Sequence, residues 1–146
     1  MSSKITTGSL MQRVMKTSSL SRFFKQNERY LKTEDLGAWL NDICRDRNLS
    51  VSEVIQKSQI DRGYGYQIFR GIRSPSRDKL IQLALAIGLD VNETQHLLTL
   101  GGKSQLYPRL KRDAVLLYCI QNSFSVLETQ DSLEEYGLSL LGDMDK

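Results

Sequence analysis

The chain has 146 residues, a formal net charge of +3 and 40% hydrophobic residues, enough for one compact domain with small appendages and a real core. It has no run of 18 apolar residues, and residues 1–20 lack the apolar centre of a secretory signal, so a membrane partner is not expected and the cytoplasm is the expected location. Cys44, Cys119 and His96 have no metal-ligand spacing, so buried reduced thiols are expected and neither a metal site nor a cofactor is.

Few breakers (the only prolines are Pro75 and Pro108) and no period-two alternation predict an all-α chain. Residues 9–31 hold two short helical candidates, split at Thr17-Ser18-Ser19, with Ser19 or Ser21 able to cap the second. Residues 1–32 carry seven Lys/Arg and one acid, Glu28. The next helix is expected to open with Thr33 as N-cap and to run to about residue 47, with Leu36, Trp39, Leu40 and Ile43 on one face. Ser50 caps a short helix ending near Ser58, and Ser50 with Glu53 has capping-box spacing. Asp61 opens a helix over 62–70. Its Gly63 and Gly65 each cost about 1 kcal/mol against Ala, which calls for close helix packing or close approach to a partner. Gly71 stops it, Ser76 caps the next, and Gly88 ends that one. Asn92 is the expected cap of the following helix, which ends at Gly101-Gly102. Helices over 109–121 and, capped by Ser125, over 126–136 complete the chain.

Charge follows this order unevenly. Residues 62–79 hold Arg62, Arg70, Arg73, Arg77 and Lys79 against Asp78 alone, and residues 113–145 hold seven acids and no base. A chain so polarised can offer a basic face to a polyanion. The last two helix pairs also repeat at an offset of 35: Arg77-Asp78 recurs as Arg112-Asp113, Val91, Glu93, Thr94 and Gln95 as Val126, Glu128, Thr129 and Gln130, and Leu98 as Leu133. Packing is the expected role of this duplicated hairpin, because each copy must bury an apolar stripe.

Residues 49–71, LSVSEVIQKSQIDRGYGYQIFRG, resemble the Cro/repressor (XRE) helix-turn-helix family: Leu49-Ser50 open it, Val54, Ile60 and Ile68 hold its apolar positions, and Arg70-Gly71 close it. Pro75-Ser76, Leu80 and Leu83-Ala84 continue the match. Residues 34–141 are also similar to a group of helix-turn-helix regulators common in Gram-positive bacteria, through Tyr64 to Phe69, Pro75 to Asp78, Leu106 to Arg109 and Arg112 to Ala114. The resemblance implies a lambda-repressor-like five-helix DNA-binding domain at 34–101, with an N-terminal helical appendage at 1–33 and a C-terminal helical hairpin at 102–146 that repeats 77–101. The sequence departs from the family at Ile55 (usually Ala), Gln59 (usually Gly), Gly65 (often β-branched), Phe69 (often Glu) and Val51 (often Gln). Ile55 and Gly65 read together as a volume swap between facing helices.

The resemblance further implies double-stranded DNA as partner, with the helix over 62–70 in the major groove. Arg62, Tyr64 and Gln67 are the expected base-reading residues, since Arg suits guanine, Gln suits adenine and Tyr can pack on a thymine methyl. Tyr66, Arg70 and Arg73 are the expected phosphate contacts. Family members bind paired half-sites, so a homodimer through the N-terminal helices or the C-terminal hairpin is consistent with this reading. The alternative is a protein-interaction adaptor on the same scaffold, using the C-terminal hairpin or Tyr64, Tyr66 and Phe69. An enzyme is not expected: neither His96 nor Cys44 has an activating neighbour in the sequence, and no phosphate-binding glycine loop is present.

Overall fold

The computed structural model describes residues 6–28 and 35–142. Within them every regular element is an α-helix: α1 Thr7–Lys16, α2 Leu20–Asn27, α3 Leu36–Asp46, α4 Val51–Ser58, α5 Arg62–Phe69, α6 Arg77–Ile87, α7 Val91–Leu100, α8 Lys111–Gln121 and α9 Val126–Glu135. None is long and apolar enough to cross a membrane. The chain divides between Glu34 and Asp35 into two compact units.

The first unit is a short hairpin. Thr6 accepts from the Ser9 N–H to start α1, and Ser19, not Ser21, accepts from the Arg22 N–H to start α2. The Arg13 guanidinium donates to Asn27 Oδ1 at 2.6 Å, and Asn27 Nδ2 donates to the Phe23 carbonyl at 2.8 Å, tying the two helices together. No residue of α1 is buried.

The second unit holds α3 to α9 around one apolar cluster, with Leu40, Ile68, Leu80, Leu83, Leu97, Leu116 and Leu133 fully enclosed. Each such side chain contributes about 1.5–3 kcal/mol on burial. Ser50, Asp61, Ser76 and Ser125 cap the helices expected of them. Two expected caps are displaced. Asp35 starts α3 by accepting from the Ala38 N–H; Thr33 lies outside the described residues. Asp90, not Asn92, starts α7 in a full capping box with Glu93, which places Asn92 inside the helix. α8 starts at Lys111 rather than 109, and the Leu110 at its cap position makes no side-chain cap bond.

The repeat is structural and reciprocal. Arg77 of the first copy forms a bidentate pair with Asp113 of the second, at 2.8 and 3.0 Å. Arg112 of the second forms the same pair with Asp78 of the first, both bonds 3.0 Å. Each arginine Nε also donates to a trailing serine carbonyl, Arg77 to Ser104 and Arg112 to Ser139. Each aspartate accepts a backbone N–H, Asp113 from Tyr107 and Asp78 from Gly142. Gln95 clamps the backbone of Leu106 with two bonds, and Gln130 does the same to Leu141. Thr94 and Thr129 return buried hydroxyls to the carbonyls of their caps. The left-handed turns also match, Gly88 with Ser123 and Gly102 with Gly137. The repeating units therefore run on to residues 107 and 142, past the helices, and exchanging the two copies exchanges every one of these bonds. Each repeated residue type has its own duty: ion pair, capping box, buried hydroxyl, backbone clamp or core.

Candidate nucleic-acid interface

α5 is held from two sides by close backbone approach. On the α4 side, a Cβ at Gly65 would lie 2.6 Å from Ile55 Cγ2, so the missing side chain is what admits the large Ile55. On the α3 side, a Cβ at Gly37 would lie 2.9 Å from the Phe69 carbonyl oxygen. Asn41 Nδ2 donates to that oxygen at 2.7 Å and to the Gly37 carbonyl at 2.8 Å, which fixes the end of α5 against α3. The turn before α5 needs Gln59 in the left-handed region, φ 65°, the position where the resembled family has Gly. The Ser58 hydroxyl accepts from the Ile60 N–H at 3.2 Å, and Gln82 reaches from α6 to donate to the Ser58 carbonyl at 2.9 Å.

With about 3.6 residues per turn, burial of Gly65, Ile68 and Phe69 turns Gly63, Gln67 and Arg70 outward. Arg62 and Tyr66 flank that face on one edge and Tyr64 on the other. Arg62, Gly63 and Arg70 are exposed; Tyr64, Tyr66 and Gln67 are half-buried. The Arg62 guanidinium lies 5.8 Å from the Tyr66 ring centre. Arg73 lies 5.3 Å and the Lys79 ammonium 5.0 Å from the Tyr64 ring centre. The Arg73 Nε donates to Gln67 Oε1 at 2.6 Å. Such cation–ring contacts are worth about 0.5–1 kcal/mol at exposed sites. Their main effect here is to gather positive charge over two aromatic platforms. Beside the start of α5 lies a polar hollow of about 680 Å³, lined in part by Ser52, Gln56, Gln59 and Arg62.

All six predicted residues therefore fall on α5 or its exit loop, and Arg73 contacts both Tyr64 and Gln67. Gln67 is engaged: bidentate reading of adenine uses both its amide groups, so Arg73 must release the oxygen first. Sequence reasoning missed Lys79, which shares the Tyr64 ring, and the polar α4 residues of the hollow. The exposed spacing of Ser52 and Gln56 on α4, with Gln59 in the turn after it, was the available signal for the latter. It also overcounted the basic run 62–79, because Arg77 is committed to Asp113. Cys44 and His96, weighed in the sequence for chemistry, lie on α3 and α7. Burial pushes the Cys44 thiol up from its ordinary value, against a smaller opposing pull from Arg47. His96 stands with its ring 5.4 Å from that of Trp39, half-buried between α3 and α7. Compared with family models, with curated proteins and with solved structures, the chain has no match in any of the three.

Proposed function

We propose that the chain is a sequence-specific DNA-binding regulator of transcription, with α4 and α5 as the two arms of a Cro/repressor-type helix-turn-helix and α5 as the arm in the major groove. In this reading α3 to α7 make up the five-helix domain, with α6 packed on α4, α3 on α5 and α7 on α6. The observation that carries it is the outward face of α5. That face presents Arg62, Gln67 and Arg70 around a glycine, Gly63, whose Cβ position meets nothing but Asp61 Oδ2 at 3.4 Å. No packing inside the molecule demands glycine there. A bare backbone patch between cations suits a surface that must come close to a duplex. Arg62 and Gln67 then read bases, with Tyr64 beside them on the ring that carries Arg73 and Lys79. Arg70 and Arg73, with Tyr66, take the phosphates.

Selecting bound fragments from genomic DNA, then titrating the best fragment and a random duplex at two salt concentrations, tests this. About four cations on the face predict a slope of log affinity against log salt of roughly −3 to −4 on the random duplex. Arg62→Ala and Gln67→Ala should each weaken the selected fragment by about 1–3 kcal/mol while leaving random duplex less affected. Absence of any salt-dependent retention removes the reading; equal losses on both duplexes remove the base-reading roles.

A further inference from the structure

The last turn of α7 brings the chain back to the start of α6. Gly101 lies against Leu80 of that first turn, so closely that an added Cβ would sit 2.5 Å from Leu80 Cδ1. The loop that follows is held by its backbone at successive residues. The Lys103 N–H donates to the Leu98 carbonyl at 2.8 Å. Arg77, the first residue of α6, donates to the Ser104 and Gln105 carbonyls, both at 3.0 Å. Gln95 clamps Leu106, and the Tyr107 N–H donates to Asp113. With its backbone so fixed and Leu106 buried, the loop leaves Lys103, Tyr107 and Arg109 exposed, and Lys111 follows exposed at the start of α8.

This loop sits beside the basic face of α5. Arg77, which holds it, is two residues from Lys79, whose ammonium lies on the Tyr64 ring together with Arg73. The acids at this junction, Asp78 and Asp113, are each paired with an arginine. Residues 94–112 contain no acid, and the nearest ones before them, Asp90 and Glu93, start α7 at the far end of the α6–α7 hairpin. Among the described residues no carboxylate pairs with Lys103, Arg109 or Lys111. The loop's own fold does not require these charges. Its counterpart in the second copy is fixed by the same bonds, Arg112 to Ser139 and Gln130 to Leu141, with Leu138 in place of Lys103 and Gly142 in place of Tyr107. Lys111 stands in the first turn of a helix, where the dipole disfavours a cation. Cations that neither the loop nor α8 asks for, next to a cationic helix face, suit an anionic surface that extends past that face.

We propose that the loop over 103–111 is a second phosphate-binding element: Lys103, Arg109 and Lys111, with the Tyr107 hydroxyl, grip the duplex backbone beside the base pairs that α5 reads. The proposal rests on the DNA-binding reading of α5 and extends it. About seven cations in place of about four predict a salt slope on random duplex of about −6, steeper than the roughly −3 to −4 of the α5 face by itself. Replacing Lys103, Arg109 and Lys111 together by Ala should flatten that slope by roughly 2 to 3, and each single replacement by about 0.9. Phosphate contacts carry no sequence information, so affinity for the selected fragment and for random duplex should fall by the same factor, unlike the effect of Arg62→Ala. All three side chains are exposed, and unchanged helix content and melting temperature verify that the variants keep the fold. Lys57→Ala is the control of equal charge change. Lys57 is exposed at the other end of α6, beside Leu85 and Ala86, and its loss should leave the slope unchanged. A chain with no salt-dependent retention overturns this proposal together with the reading of α5. A slope of roughly −3 to −4 that none of the loop replacements alters leaves that reading standing and overturns the loop's role alone. So does a flattening no greater, per charge, than Lys57→Ala produces.

Discussion

Two glycines two residues apart in α5 carry opposite consequences. Gly65 faces Ile55 so closely that three carbons of that side chain would lie within 3.2 Å of an added methyl, and no rotation of a fully packed isoleucine clears all three. Gly65→Ala should therefore destabilise the fold by about 1–3 kcal/mol. Combining it with Ile55→Ala should recover part of the sum, since the smaller residue vacates the space. A denaturant-based double-mutant cycle measures that coupling. Gly63 has open space instead, so Gly63→Ala should stabilise by up to about 1 kcal/mol through helix propensity. On the DNA-binding reading it should also weaken duplex affinity, and a stabilised protein with undiminished affinity would contradict a close backbone approach at that point. The sequence presents the two positions as the same local cost. What separates them is which side of α5 each occupies, and that is set by α4. The Ile55–Gly65 exchange was legible because a large residue and a small one stood at known facing positions. The cap choices were not: Asp90 and Asn92 are both competent caps two residues apart, and the capping box with Glu93 decides between them.

At the scale of elements, the repeated Arg-Asp pair was visible as identity but not as reciprocity. Nothing along the chain says that each arginine reaches the aspartate of the other copy, because that depends on how two hairpins face one another. The arrangement leaves Asp113 nearly enclosed, with 4% of its side chain exposed against 23% for Arg77. Burial alone would raise its carboxyl. The Arg77 hydrogen bonds, the Tyr107 N–H and the charges of Arg77 and Arg112 outweigh burial and hold it below the usual carboxylate range. The same hydrogen bond to Asp113 raises Arg77 against the opposing effect of burial, so the pair stays fully ionised at neutral pH. A carboxyl lowered by folding contributes stability that is complete above its unfolded value, about 3.9, and that is lost as pH falls through the lower folded value. Urea midpoints between about pH 2 and pH 7 should therefore fall on the acid side of about pH 4. Asp113→Asn should flatten that fall and cost about 3 kcal/mol at pH 7, because it leaves Arg77 partly buried without its anion. An unchanged acid limb in the variant would show that this pair does not govern it.

For the whole molecule, the division of labour between the hairpins decides how the second unit unfolds. In sequence the last hairpin reads as an attachment, since its helices are separated from the rest by the polar loop after Gly101-Gly102 and its charge is acidic where the preceding segment is basic. In three dimensions Leu116, Ile120, Val126, Leu133 and Leu141 belong to the same buried cluster as Leu40, Ile68 and Leu80. Both arginine–aspartate pairs cross from one hairpin to the other. α6 thus lies between the α4–α5 pair and the second hairpin, and Gln82 on α6 also holds the turn that aims α5. A chain ending at Leu110 would strand Arg77 and Asp78 without counter-charges and uncover part of the cluster. Two orphaned partners at about 3 kcal/mol each, before any apolar loss, approach the entire stability of a small domain. Such a truncation should lose its cooperative thermal transition or melt at least about 10 °C lower than the full chain, and on the DNA-binding reading it should lose duplex affinity with it. If calorimetry instead found the shortened chain melting at the parental temperature, the second hairpin would be an independent module, and the hydrogen bonds between the copies would contribute nothing to holding α5 in place.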